Sequence, residues 1–333
     1  MIPLRKMISL TKLEAMRTLP KILIALAVLA LIATGAVFGV RALLGSDAAV
    51  GPECVVQSDP KAPATDRPVV DLGSATQVAA PIALAAVQLQ HASTINAVGL
   101  AKQLSTRART IAVATALQES SLRNLPGGDR DSVGLFQQRP SQGWGTVQQI
   151  SDPVYSAGIF YDRLLQVPDW ESRPLTEAAQ EVQYSGHPEA YAKWEVEAAQ
   201  LVGALSGGWG TALSCRDGAA ASTAPVPPRA VPTLMAAASP GLASLIAAAN
   251  AELGTIAVVA VSADGKEVVV TIDVPVLADS DRAAMTLALW TVAHAASGRL
   301  NLVAVAGARW QGSSWGATES ALPAGQVRIS VAG

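Results

Sequence analysis

An α+β chain is what this sequence predicts: a single N-terminal transmembrane helix, a mainly helical domain, then a small separate α+β domain. Three observations lead there. An uncharged run of 19 residues, 22–40, lies near the start. A central region repeats its apolar residues at helical spacing, and a final region alternates short β-branched runs with helical patterns. The 333 residues have room for about two ordinary domains and some extra segments. Composition narrows the class: 50% of the chain is apolar and only 15% is charged, which excludes a disordered tail protein and a coiled coil. The net charge of −2 provides no basic footprint for a phosphate backbone, so nucleic acid is not an expected partner.

Residues 1–21 read as a cytoplasmic tail and 22–44 as a membrane anchor. At about 1.5 Å per residue the run 22–40 spans roughly 28 Å, close to the hydrocarbon thickness of a bilayer. Arg5, Lys6, Lys12, Arg17 and Lys21 precede it and only Arg41 follows closely. The positive-inside bias then leaves the N-terminus in the cytoplasm and the bulk outside, as in a single-pass protein of the cell membrane. A cleaved signal peptide is the competing reading, because the small residues Ser46, Ala48 and Ala49 follow the run. Residues 45–80 carry Pro60, Pro63 and Pro68 among polar residues and read as a semi-extended linker; 216–240, with Pro225, Pro227, Pro228, Pro232 and Pro240 in an alanine-rich background, is a second. Cys54 and Cys215 bracket the globular region 81–215. An oxidising exterior would favour their pairing, against the alternative of two free buried thiols.

Within 81–215 the patterns are helical over 83–104, 106–121, 176–184 and 188–205, and Ser151-Asp152-Pro153 supplies a cap and first turn for another helix. Pro126-Gly127-Gly128 breaks the run with turn chemistry. Glu119 is the residue that chemistry singles out. It stands where an otherwise apolar helix ends, and there the unsatisfied carbonyls and the dipole both disfavour a carboxylate. Burial among Leu117 and Leu122 acts in the same direction. A carboxyl kept protonated near neutral pH can donate to a glycosidic oxygen as a general acid. An ordinary solvated glutamate at a helix end is the alternative.

The ordered set Ala116-Leu117-Gln118-Glu119-Ser120, Gly134-Leu135-Phe136-Gln137 and Ala190-Tyr191 resembles the Glu-Ser, Gly-Leu-Met-Gln and Ala-Tyr motifs of soluble lytic transglycosylases and goose-type lysozymes. The stretch 128–146 is also similar to actinobacterial membrane-anchored envelope proteins that carry a lysozyme-like domain. The resemblance covers about 105–205. It implies a lysozyme-like fold, with Glu119 as catalytic acid, Ser120 as its hydrogen-bonding neighbour, and Gln137 and Tyr191 as groups that line the substrate cleft. Phe136 stands where the family has methionine, and Ala192-Lys193-Trp194 departs from the pattern after Ala-Tyr. Asp129 resembles the aspartate of the goose-type segment and could hold an attacking water, as an inverting hydrolase requires; a turn aspartate bonding its own backbone is the alternative. A lytic transglycosylase needs no second carboxylate, because the substrate's own hydroxyl closes an anhydro ring.

Trp144 between Gly143 and Gly145 has little apolar company in sequence, which suits stacking on a sugar ring as well as simple packing. Trp170 and Trp194 read as core. His91, His187 and His294 are scattered, so no metal site is expected, and the absence of phosphate-binding and nucleophile-elbow motifs leaves no expected cofactor. In 241–333 a helix over 242–253, strands over 256–261 and 268–276 around Asp264-Gly265, a helix over 280–297 and strands over 302–305 and 327–331 make an accessory α+β module without a chemical motif. The expected function is a membrane-anchored, extracytoplasmic enzyme that cleaves peptidoglycan glycan strands, of lytic transglycosylase or lysozyme type. The rival is a non-catalytic glycan-binding or scaffolding protein with a degenerate lysozyme-like fold.

Overall fold

The computed structural model describes residues 54–57, 80–184, 188–215, 233–277, 279–294, 300–318 and 321–332. The tail at 1–21, most of both linkers and His187 lie outside them. The membrane anchor is corrected: among the described residues no helix is long and apolar enough to cross a bilayer. The longest of them has 16 residues, about 24 Å at 1.5 Å per residue, against the roughly 30 Å of a hydrocarbon core. Residues 22–44, on which that expectation rested, lie outside the described residues. The single-pass cell-membrane location drawn from it is withdrawn with it.

The described chain is α+β, with eight helices and two antiparallel sheets. The helical region consists of α1 (Ala86–Ala101), α2 (Thr106–Ser120), α3 (Val147–Ile150), α4 (Pro153–Leu164), α5 (Leu175–Gln183) and α6 (Glu195–Leu205). Helix α2 lies at its centre, in contact with α1, α4, α5 and α6. Every residue from Ala108 to Leu117 is buried, the polar Arg109, Thr110 and Thr115 among them. Ser105 caps its start by accepting from the Ala108 amide at 3.3 Å. One charge lies inside this packing. Arg109 is buried and donates to Asn96 Oδ1 of α1 at 2.7 Å and to the Ser206 hydroxyl at the end of α6. Burial pulls its guanidinium down to about 10, still cationic at neutral pH. Gly99 makes room for it, since a Cβ there would stand 2.5 Å from Arg109 Cγ.

A three-stranded sheet closes this region, in the order β2 (Ile82–Leu84), β1 (Cys54–Val56), β3 (Leu213–Cys215). Cys54 and Cys215 are direct register partners in it and form a disulfide, closing a loop of 161 residues.

The C-terminal region follows with α7 (Pro240–Leu253), β4 (Ile256–Val261), β5 (Glu267–Ile272), α8 (Ser280–Ala293), β6 (Leu300–Val305), β7 (Ala308–Gln311), β8 (Ser314–Ala317) and β9 (Gln326–Val331). Its six strands run in the order β4-β5-β9-β6-β7-β8. The registers align Val268 with Ile329 and Val303, and Val270 with Val327 and Val305, so two buried rows cross the sheet beneath α8. This region packs on the helical one through α1, which touches α7 and α8. Trp315 Nε1 donates to the Leu213 carbonyl at 2.7 Å and Arg282 Nε to that of Ser206 at 3.0 Å. Gly207, at φ 71°, allows the approach, since a Cβ there would lie 2.5 Å from the Arg282 carbonyl oxygen. Strands β7 and β8 were not expected; at four residues each, with Gly316 inside one, they carry too little alternation to be seen.

Because the disulfide joins β1 to β3 across so long a loop, replacing both cysteines by serine should lower unfolding stability by about 2–5 kcal/mol. The denaturant midpoint of the oxidised protein against the double variant measures it, and equal midpoints would show that the sheet holds without the bridge.

Candidate active site

Helix α2 delivers Glu119 out of the core on its last turn. The chain then turns through two consecutive left-handed residues, Ser121 at φ 52° and Leu122 at φ 58°, whose amides bond back to Leu117 and Ala116. Helix α1 holds this corner from the side: Gln88 Nε2 donates to the Ser121 carbonyl at 2.9 Å, and His91 Nδ1–H donates to that of Leu122 at 2.7 Å. Burial keeps His91 below its ordinary pKa, in the neutral form that makes a single donor of this kind.

Beyond the corner, residues 122–138 fold back on themselves. Leu125 pairs with Gly134 and Val133 with Gln138. The Ser120 hydroxyl donates to the Leu135 carbonyl at 2.7 Å, tying this loop to the end of α2. Phe136 lies buried on Phe160 of α4, ring centres 4.7 Å apart, so the ring that replaces methionine in the resembled motif fills an aromatic stack. Asp131 staples the loop from outside. Arg139 Nε at 2.7 Å, the Ser141 amide at 2.8 Å and the Ser141 hydroxyl at 3.0 Å all donate to it, and Arg139 first of all holds its carboxyl well below the usual range.

At Glu119 the balance runs the other way. The side chain is half-buried, and burial raises its pKa. The Tyr191 hydroxyl, which donates to Glu119 Oε1 at 2.7 Å, and Gln183 beside it oppose the shift without cancelling it. Gln183 also donates to the Phe136 carbonyl at 2.7 Å, so α5 touches both the acid and the loop. Next to Glu119, Gln118 Oε1 accepts from Trp194 Nε1 at 2.9 Å. The result is a carboxyl that retains its proton above the ordinary glutamate range, with one oxygen fixed by a buried tyrosine. Such a group can give up a proton to a substrate atom and take one back.

The expected site residues are not all brought together. Tyr191, fully buried, meets Glu119. Ser120 directs its hydroxyl to backbone, away from any ligand role. Gln137, at φ 48°, donates to the Gly134 carbonyl at 3.2 Å, and its Oε1 lies so close over Gly128 that a Cβ there would stand 1.6 Å away. Its amide therefore serves the loop. The Asp129 side chain is 91% exposed, with its neighbour Arg130 at 3.8 Å. Trp144 is only 3% exposed, and the Arg163 guanidinium lies 3.5 Å above its ring centre. Of the two readings open for Trp144, its burial fits packing and leaves no free face for a sugar ring. The company missing from its sequence neighbours comes from α4 in the form of Arg163, which also donates to the Gly143 carbonyl at 2.9 Å. Sequence reasoning missed Gln183, Gln88 and His91, whose roles depend on contacts across helices with no motif to mark them. Among the described residues no group of His, Cys, Asp and Glu could hold a metal ion. No protein-family model matches this chain, and no curated protein matches it either.

A raised carboxyl pKa binds the proton more tightly in the folded state than in the unfolded one. Stability is therefore lost as pH rises past the ordinary glutamate value of about 4.3. Glu119→Gln, which keeps the shape and removes the charge, should be more stable than wild type at pH 7, and the difference should close below about pH 4. Thermal melts at the two pH values check it; a variant less stable at pH 7 would contradict the burial argument. Ser120→Ala leaves the buried Leu135 carbonyl without this donor and should cost about 1–3 kcal/mol in the same assay.

Proposed function

We propose that the helical region cleaves the glycan strand of peptidoglycan with Glu119 as general acid, as a lytic transglycosylase. The observation that carries this is the half-buried Glu119 carboxyl, raised by burial and fixed through one oxygen by Tyr191 at 2.7 Å. In this reading the protonated oxygen donates to the glycosidic oxygen as the C1–O bond breaks. The sugar's own primary hydroxyl then attacks C1 and returns its proton to the carboxylate, so the acid is regenerated and an anhydro ring closes. The exposure of Asp129 supports this over an inverting hydrolysis: a carboxylate 91% open to solvent, beside only its own neighbour, is not built to hold a single water against the sugar. The ordered motifs that resemble lytic transglycosylases and goose-type lysozymes support the substrate class. The rival reading, glycan binding without cleavage, draws on the altered segment 192–194, where Trp194 bonds Gln118 in place of the family pattern.

Incubation of the purified protein with peptidoglycan, followed by mass analysis of the soluble products, tests the reading. Anhydro-ended fragments are expected. Free reducing ends, one water heavier, would indicate a hydrolase, and no products at all would favour the binding module. Glu119→Gln should lower turnover by about 10²–10⁴-fold while keeping the fold, whereas Asp129→Asn should change it less than about threefold. Wild-type activity should decline as pH rises and the raised carboxyl of Glu119 loses its proton.

A further inference from the structure

Trp144 is buried and presents no open ring to a ligand, and the structure offers another aromatic side chain. Among the described residues Tyr184, 78% exposed, is the one aromatic side chain that stands largely in solvent; the other exposed large apolar residues, Val147, Leu165, Val259 and Val276, are aliphatic. It ends α5, directly after Gln183, whose amide reaches the Phe136 carbonyl and which lies beside the Glu119 carboxyl. It is also backbone-strained. At φ 50° it occupies the left-handed position that terminates a helix, where glycine is favoured and a side chain costs about 1 kcal/mol. A large exposed ring at such a position gains no core packing in return. Ser121, Leu122, Arg130 and Gln137 are the non-glycine residues at positive φ in the stretch that follows Glu119, and Tyr184 is a separate one at the end of α5.

We propose that Tyr184 is a sugar-stacking platform, presenting its ring to the apolar face of an N-acetylhexosamine unit in a glycan strand bound across Glu119. The inference rests on the reading of Glu119 as the acid that cleaves that strand. The chemistry fits the exposure. A pyranose carries C–H groups on one face, an aromatic ring covers them without needing a hydrogen-bond partner, and two side-chain torsions cost little entropy to fix. The platform would set affinity and the position of the strand; Glu119 would set the rate of bond breaking. Tyr184 is thus a binding residue and takes no part in proton transfer.

Glycine at 184 removes the ring and relaxes the left-handed backbone, so a loss of binding cannot be assigned to unfolding. The N-acetylglucosamine hexamer is titrated calorimetrically into the full chain carrying Glu119→Gln, chosen to slow turnover, with and without Tyr184→Gly or Tyr184→Trp. Tyr184→Gly should weaken binding about three- to tenfold, with a melting temperature equal to or above its parent, and Tyr184→Trp should restore it. In the chain with Glu119 intact, Tyr184→Gly should raise KM by a similar factor and leave kcat within about twofold. Hexamer binding unchanged by Tyr184→Gly, or absent from every variant, overturns the platform. Cleavage by wild type with hexamer binding indifferent to Tyr184 would sink the platform and leave the enzyme standing. Binding that depends on Tyr184 in a protein that cleaves nothing would keep the platform and remove the catalytic reading.

Discussion

The structure turns on one constraint, the burial of α2 on every side. A helix with Ala108 to Leu117 wholly enclosed cannot rotate or slide without opening contacts to α1, α4, α5 and α6 at once. Its last turn is therefore fixed in space, and with it the direction in which Glu119 leaves the core. The same enclosure explains Arg109. Its buried charge is tolerated because Asn96, Ser206 and the Ser105 carbonyl accept from it, and these belong to three different parts of the chain. Three segments are thereby held in one register around α2, with Gly99 as the gap that lets the guanidinium stem pass.

Between residues 119 and 131 the chain carries three carboxylates whose environments differ as much as their positions are close. At Asp131 three donors outweigh everything else and hold the group ionised far below its usual range. Asp129 stands in solvent. Glu119 alone has burial as its largest influence, with Tyr191 and Gln183 opposing it and losing. The two acids are pushed in opposite directions: Asp131, held ionised, keeps the loop folded against Arg139 and Ser141, while Glu119 binds its proton more tightly than an ordinary glutamate.

What could be read from the sequence followed the range of each interaction. The span of α2 was legible because its helical repeat is a local signal, and the pattern over 106–121 ends one residue past the helix. The hairpin between β4 and β5 was legible from Asp264-Gly265 for the same reason, although β5 stops at Ile272, short of the expected 276. Glu119 stood out by its place at a helix end among apolar neighbours. Contacts between distant elements were not legible. The clamps from Gln88 and His91 reach across 33 and 31 residues, and the Arg163 cover over Trp144 comes from another helix. The two readings of Trp144 stayed open for this reason, since its flanking glycines describe the backbone beside it and say nothing of the side chain that lands on it. Ser120 and Gln137 were found by motif, yet their side chains are committed to the Leu135 and Gly134 carbonyls.

Helix α1 gives the C-terminal region a bearing on the site. One side of α1 holds the corner after Glu119 through Gln88 and His91; the helix also packs against α7 and α8. Behind His91 lies a buried seam in which Glu252 of α7 accepts from Trp290 Nε1 of α8 at 2.7 Å and has His294 Nε2 at 3.6 Å. His91 feels both groups, the carboxylate favouring its charged form and the second histidine disfavouring it. A helix shared in this way cannot shift toward one neighbour without moving the other, because interiors packed at crystal density transmit displacement rather than absorb it. The corner that orients Glu119 is therefore supported from two directions, by the enclosed α2 that delivers it and by an α1 backed by the C-terminal sheet and its helices. The C-terminal region bears on the Glu119 corner by what it prevents, a sideways movement of α1 that would release the Leu122 carbonyl and with it the turn that follows the carboxyl.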